Sequence, residues 1–299
     1  METAAELRDS LDTAKLHFVE VAGVRTRYYE DGQGEPLVLV HGGQIGMGYS
    51  LDCWSLNLPV LAESFHVFAL DRLGQGFTDN PPTDGDYTFD AVYGHFAGFV
   101  EALGIRQGIF VGHSRGALPV ARLALDRPDL VSKLIVIDSN TLAPDDPGFP
   151  NFYANLPVIP GRPTREAVRI EPEAQAYNKA QITDDFTNRM LEISLLDKVR
   201  HAQARMRAIG NVVWMRSLNE SRAEVLRRID QHGLSAPTLM IWAFNDVSAP
   251  LRIHGVPLFE RICAKTAKAQ LLVINRGGHY IFREQPDAFH RAVRSFGLG

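Results

Sequence analysis

The segment GIFVGHSRGALPVARLALD, residues 108–126, decides the reading of this chain. Residues 108–112 form an apolar run of strand length, and residues 114–126 carry helical periodicity. Between them, Gly112-His113-Ser114-Arg115-Gly116 confines the change of direction to a few residues. Either Ser114 sits in an ordinary turn, or it is a nucleophile held on a sharp corner. The spacing G-x-S-x-G is expected by chance roughly 0.1 times in a chain of this length, so the pattern alone is weak. Its placement between a strand and a helix is the context that gives it meaning. Such a corner needs glycine on both sides, because side chains there would collide with the adjoining strand and helix. The serine oxygen then projects at the carboxyl edge of a sheet, with a helix N-terminus behind it.

Outward from this corner the chain keeps the same rhythm. Upstream, LHFVEVAGVRTRYYED reads as two strands joined by a tight turn at Ala22-Gly23. PLVLVHG (36–42) is a continuous apolar run, as expected of a strand buried on both faces. A helix near 54–64, a strand at 65–70 and a helix over 89–104 follow, the last with Phe89, Val92, Phe96, Phe99, Val100 and Leu103 at helical spacing. Downstream, KLIVID (133–138) is another strand. Residues 141–163 are rich in proline and glycine, and 164–230 read as helical without a convincing strand. The alternation resumes with a strand in APTLMIWAFND (236–246), a helix near 251–264, a strand at 269–274 and a helix over 286–297. Alternating strands and helices imply right-handed crossovers and a mostly parallel, doubly wound sheet. The expectation is therefore an α/β core, 1–140 and 231–299, with an inserted helical lid, 141–230.

Composition narrows the function. The 299 residues are 45% hydrophobic and 22% charged, with a formal net charge of −4, which gives no reason to expect a nucleic-acid partner. No apolar run approaches the length of a membrane span, and the N-terminus shows no signal-peptide pattern, so the expected place is the cytoplasm and no membrane partner is implied. Two cysteines, Cys53 and Cys263, are too few and too far apart for a metal or disulfide framework and are expected to be buried small hydrophobes.

A serine hydroxyl needs a base, and the base needs an orienting group. His279, in NRGGHYIFREQP after the last strand, is the best placed of the ten histidines. Asp246 directly follows strand TLMIWAF and is favoured as the acid over Asp138, which ends KLIVID at the same sheet edge. VLVHGGQIG (38–46) brings two glycines to the end of a strand, where backbone N–H groups can approach a developing oxyanion. Gly43 and Arg115 are the expected donors, Gly42 lies beside them, and His41 is expected to brace the loop rather than to act as a base. Asp71, in ALDRLGQGFTD (69–79), is read as a structural brace.

HGG, DRLGQGFTD, GHSRG, FND and GGHYIFREQP, in this order, resemble the α/β-hydrolase superfamily from about Val21 to Phe296. Serine at the corner separates the chain from the dehalogenases and epoxide hydrolases of that fold, which carry aspartate there. Within the superfamily it looks most like the meta-cleavage-product hydrolases, which hydrolyse a C–C bond in dienoates made by aromatic ring fission. That resemblance implies the triad Ser114–Asp246–His279 working without metal or organic cofactor on a small-molecule substrate, and a homodimer or larger homo-oligomer. ITDDFTNRMLEIS (182–194) resembles the lid helix whose arginine binds the substrate carboxylate, which would make Arg189 the anion anchor. The family usually has Asn before and Met after the nucleophile and Trp after the histidine; His113, Arg115 and Tyr280 stand there instead. His113 and Tyr280 are expected at the substrate pocket, with Phe152, Tyr153 and Trp214 as candidate aromatic lining. A carboxylesterase acting on a substrate such as a monoalkyl phthalate is the runner-up, and a non-catalytic binding protein of the same fold the third reading.

Overall fold

A computed structural model describes residues 9–299 apart from 147, 150, 151, 158 and 160. Eight strands form one sheet: β1 Leu16–Val21, β2 Val24–Asp31, β3 Pro36–Val40, β4 His66–Leu70, β5 Gly108–His113, β6 Val131–Ile137, β7 Thr238–Ala243 and β8 Ala269–Ile274. Their order is β1-β2-β4-β3-β5-β6-β7-β8. The β1–β2 and β2–β4 pairs are antiparallel, and every pair from β4 to β8 is parallel. Ala22 and Gly23 take φ of 47° and 82°, both positive, which suits the tight turn joining β1 to β2.

The order reverses direction at β3: the chain goes from β3 outward to β4 on one side and then returns to β5 on the other. In open α/β sheets such a point opens a crevice at the carboxyl ends of the strands. The five segments singled out in the sequence leave the carboxyl ends of β3, β4, β5, β7 and β8, so the topology gathers them there.

Helices cover both faces. They are α1 Leu58–Ala62, α2 Phe89–Ala102, α3 Ala117–Asp126, α4 Arg165–Gln175, α5 Asp184–Ser194, α6 Asp197–Arg205, α7 Asn211–His232, α8 Val256–Lys265, α9 Ile281–Glu284 and α10 Pro286–Leu298. Alternate residues of the central strands enter opposite cores. Val38, Val40, Phe110 and Val136 pack with residues of α2 and α3, whereas Leu37, Leu39, Ile109 and Ile135 pack with residues of α1, α9 and α10. Two-sided burial is why these strands read as unbroken apolar runs. Between β6 and β7 the described residues form helices and turns and no strand. No described helix is long and apolar enough to cross a membrane.

Three expectations need correction. The helix expected near 54–64 is a 3-10 turn, Leu51–Trp54, followed by the short α1, whose start carries Pro59 where its missing N–H costs nothing. The helix expected from Ser114 starts as a 3-10 turn, Ser114–Gly116, and becomes α-helical only at Ala117, because Ser114 has φ of 53°, outside the right-handed helical region. Cys53 is buried, but Cys263 is exposed, its thiol donating to the Glu260 carbonyl on the outer side of α8.

Two buried histidines are held in their neutral form. His41 Nδ1 donates to the Gly42 carbonyl at 2.8 Å, while Nε2 accepts the Arg72 N–H at 3.3 Å. His290 Nε2 accepts from Asn57 Nδ2 at 3.1 Å. Burial, with Arg72 beside the first and Arg294 beside the second, lowers their pKa values to about 3 and about 4. Both values lie below the ordinary 6.5, so on acidification the unfolded chain takes up protons that the folded chain refuses. The stability present above pH 6.5 is therefore lost progressively as the pH falls toward about 4. The urea midpoint should drop between about pH 7 and pH 5, and His290→Gln should make that drop shallower. An unchanged midpoint would show that these rings are not the titrating load.

Candidate active site

Ser114 sits at the tip of the β5–α3 corner, and the corner leaves no space for side chains on either flank. A Cβ on Gly112 would lie 2.5 Å from the Ala117 Cα and the Gly116 carbonyl oxygen, and one on Gly116 would lie 2.2 Å from the Val40 carbonyl oxygen. Real Cβ atoms do not come that close, so glycine alone lets α3 press against β3. Ser114 is held in its left-handed conformation partly by Ser139, whose hydroxyl donates to the Ser114 carbonyl at 2.7 Å. A non-glycine residue with positive φ costs of order 1–3 kcal/mol, and it persists where surrounding contacts over-determine it.

The loop after β3 reaches Ser114 from the other side. A Cβ on Gly42 would lie 2.8 Å from the Ser114 Cβ. The carbonyls of His41, Gly42 and Gly43 are gathered by one buried guanidinium, with Arg72 Nη1 at 3.3, 3.4 and 3.0 Å, and Gln75 Nε2 adds a contact to Gly42 at 3.2 Å. In a trans peptide the N–H points opposite to the preceding C=O. Turning the Gly42 carbonyl toward Arg72 and Gln75 thus directs the Gly43 N–H away from them, and Gly43 lines the cavity that contains Ser114. His41, with both ring nitrogens in use, is a brace of this loop. Asp71 is another: it accepts from the Leu51 and Phe77 N–H groups at 2.7 and 2.8 Å and from Arg27 at 3.2 Å.

His279 and Asp246 meet across the loops after β8 and β7. His279 Nδ1 lies 2.6 Å from Asp246 Oδ2, and both side chains are buried. The other carboxylate oxygen, Oδ1, accepts from the Ser248 N–H, the Ser248 hydroxyl and the Ala249 N–H at 2.7, 2.9 and 2.9 Å. Burial works against charge on Asp246, but His279 and these donors outweigh it and hold its pKa below the ordinary carboxylate value. A carboxylate ionised this way keeps the imidazole oriented with Nδ1 protonated and Nε2 free for proton transfer. The backbone of His279 is pinned twice: its N–H donates to the Gln175 carbonyl at 3.0 Å, and its carbonyl accepts from His113 Nε2 at 2.8 Å. The histidine at position 113 thus spends Nε2 on bracing.

Asp138, the alternative acid, does not touch His279. Its Oδ1 accepts the Ala243 N–H at 2.8 Å, and Oδ2 is buried with no partner among the described residues. Burial, with Asp246 nearby, pushes its pKa well above the ordinary value, and its bond to the Ala243 N–H ties β6 to β7.

Two joined cavities serve this centre. The inner one, of about 20 Å³, is lined by Ser114, His279, Gly42, Gly43, His113 and Tyr280, together with Tyr49, Cys53, Gln175 and the three residues it shares with the outer cavity. It has room for about one water. The outer one, of about 870 Å³, opens beside it between α4, α7 and the core loops.

Tyr280 and Tyr49 pair through their hydroxyls in the inner cavity, and Tyr280 donates onward to Gln175 Oε1 at 3.3 Å. Neither Tyr49, Glu171 nor Gln175 was singled out from sequence. For the last two a signal exists: Ala167, Ile170, Glu171 and Gln175 share one face of α4, and a carboxylate inside an inward-facing stripe is out of place unless it faces a polar cavity.

Two expected pocket residues lie elsewhere. Arg189 does not reach the cavities: its Nη1 bonds Glu192 at 2.6 Å, its Nε sits 3.4 Å from Asp52 Oδ1, and it lines a separate surface cleft with Asp9 and Asp185. Two carboxylates take up its charge on the outer side of α5. Trp214 is 1% exposed and packs edge-on against Phe89 at 6.3 Å, because α7 turns Met215, Leu218, Asn219 and Arg222 toward the outer cavity and Trp214 away from it. Tyr153 lines both cavities, whereas Phe152 lies edge-on against it and lines neither.

The profile of the alpha/beta hydrolase family matches residues 37–292. The chain belongs to that family. It is 28% identical to the 2-hydroxymuconate semialdehyde hydrolase of Pseudomonas sp. (strain CF600), over 92% of this chain and 91% of that protein. It is 26% identical to the 2-hydroxy-6-oxo-6-(2'-aminophenyl)hexa-2,4-dienoic acid hydrolase of Metapseudomonas resinovorans, over 99% of this chain and 96% of that one. Among solved structures it superposes on CumD, a meta-cleavage product hydrolase from Pseudomonas fluorescens IP01, with a TM-score of 0.76 and 26% identity over 95% of this chain and 98% of that one. This hydrolase is thus similar to meta-cleavage product hydrolases over more than nine-tenths of its length, the helical segment between β6 and β7 included.

The two carboxyls near His279 give a discriminating pair of variants. Asp246→Asn should lower kcat by about 10³–10⁴-fold, as loss of the orienting carboxylate does in serine triads. Asp138→Asn changes a side chain that does not touch His279 into a near-isostere and should leave kcat within about a factor of a few. The reverse pattern in steady-state kinetics would exchange their roles.

Proposed function

We propose that this hydrolase cleaves the C–C bond of a meta-cleavage product of the 2-hydroxy-6-oxohexa-2,4-dienoate type, using Ser114, His279 and Asp246. The observation that carries the proposal is the pairing of His279 with a charged Asp246 beside a strained Ser114, in a chain whose relatives over more than nine-tenths of its length are named as hydrolases of such compounds.

The chemistry follows from the geometry. His279, oriented through Nδ1, takes a proton at Nε2 from Ser114 or from a water in the inner cavity. The oxygen so activated adds to the ketone carbonyl, and the N–H groups of Gly43 and Arg115 stabilise the oxyanion. For the C–C bond to break, the dienol must first be ketonised, so that carbon leaves as a stabilised enol or dienol rather than as a free carbanion. His279 then returns the proton to the leaving carbon; where water attacked, the carboxylic acid forms directly, and where Ser114 attacked, water hydrolyses the acyl-serine to the acid and frees the serine. In an ester the same groups would serve, with an alcohol leaving. The ester reading draws on His113, Arg115 and Tyr280, which replace the residues usual in the C–C hydrolases and make the surroundings of Ser114 more polar. The proposal also covers a cytoplasmic place of action and a homo-oligomeric state.

The test is kcat/KM on two substrates in parallel: a 6-substituted 2-hydroxy-6-oxohexa-2,4-dienoate, followed by loss of its colour, and a monoalkyl phthalate, followed by acid release. The dienoate should be preferred, and Ser114→Ala should abolish turnover of it. Preference for the monoester would make this an esterase on the same scaffold, and full activity of Ser114→Ala would remove the serine from the mechanism.

A further inference from the structure

Three residues line both cavities: Arg115, Tyr153 and Glu171. They form the neck between the small chamber holding Ser114 and the large chamber outside it. Since the inner chamber holds about one water, a substrate presents its reacting carbonyl there only if the neck side chains yield, and most of its length stays in the outer chamber.

The charges at the neck are unequal in their commitments. Two guanidinium groups line the outer chamber. That of Arg222 is bonded to Asp145 and Asn219. That of Arg115 takes no hydrogen bond and no ion pair among the described residues, although it is only half-buried at a polar neck. Glu171, on α4, lines the same neck, and its carboxyl feels the Arg115 charge. Burial pushes the Glu171 carboxyl above its ordinary pKa, while the charge of Arg115 pulls it back. The neck thus combines an uncommitted cation carried by the core with a carboxyl whose charge burial disfavours, carried by the helical segment.

We propose that the Arg115 guanidinium is the carboxylate-recognition group of this hydrolase, and that Glu171 holds its place: the substrate carboxylate takes up the position beside Arg115 that Glu171 now flanks, and displacement of Glu171 opens the neck. This rests on the reading above that the substrate carries a carboxylate. It assigns to Arg115 what the family resemblance assigned to Arg189, whose charge is already spent on Asp52 and Glu192. A guanidinium offers a fork of N–H donors that a carboxylate fills with two parallel bonds, which methionine at this position could not supply. One residue would then hold both ends of the substrate, its N–H at the oxyanion and its side chain at the far carboxylate. Substrates would be sorted by the distance between those groups. Glu171 supplies the opposing selectivity: when ionised it repels an anion that does not displace it, and it leaves neutral ligands unaffected.

The test compares hexanoate with hexanamide, equal in length and different in charge, by calorimetric titration of the full chain and of Arg115→Met and Glu171→Gln. Arg115→Met should weaken hexanoate by about tenfold or more and leave hexanamide unchanged, which also shows that the pocket is intact. Glu171→Gln should tighten hexanoate severalfold and again leave hexanamide unchanged. If both variants shift the two ligands alike, or if hexanoate is indifferent to them, the neck is steric and the assignment falls. Kinetics on the dienoate separate this from the reading it rests on. Turnover with KM unchanged in Arg115→Met would overturn the assignment and keep the substrate. Charge discrimination without dienoate turnover would keep the assignment and overturn the substrate.

Discussion

The close approach of α3 to β3 beneath Ser114 is the constraint on which the rest of the centre depends. Gly116 lies against the Val40 carbonyl and Gly112 against Ala117, so the corner closes only because neither carries a Cβ. That closure forces Ser114 into positive φ and sets its side chain at the edge of the sheet, at the point where strand order reverses. Any relaxation of the corner would move the serine relative to three loops that reach it from β3, β7 and β8.

Those loops are in turn fixed by buried polar groups rather than by packing. One arginine, Arg72, collects three successive carbonyls of the loop after β3, and this sets the direction of the N–H groups between them. Glu284 accepts the N–H groups of Gly278 and Asn178 at 2.8 and 2.7 Å, so a single carboxylate ties the histidine loop to the chain that follows α4. The His279 backbone bonds on one side to His113 of the core and on the other to Gln175 of α4. Movement of α4 is therefore felt at the imidazole, and the neck residues Tyr153 and Glu171 move with the same segment. Access and orientation therefore share one set of contacts.

The two carboxyls near His279 show how environment separates like groups. Asp246 has three donors on Oδ1 and an imidazole 2.6 Å from Oδ2, and it stays charged. Asp138, also buried and at the end of the neighbouring strand, has one backbone donor and a charged neighbour, and its pKa is pushed up. Both end a strand at the same sheet edge, so the count of donors distinguishes them where position along the chain does not.

Much of this was legible in the chain itself. Glycines at 112 and 116 around a serine, a strand before and a helix after, and the order serine, aspartate, histidine after β5, β7 and β8 define the fold and nominate the reacting groups. These signals are local: they depend on backbone clashes and on hydrophobic period, which a few neighbouring residues decide. Which side chains face the substrate was decided only by the tertiary structure. Arg189 and Arg115 are both arginines near the expected pocket, but Asp52 from a distant segment claims the first and nothing described claims the second. Trp214 and Met215 are adjacent on α7, and the rotation of that helix against Phe89 sends one into the core and the other to the cavity. Helix rotation and ion-pair choice are settled by partners far along the sequence, and those partners become known only when the chain has folded.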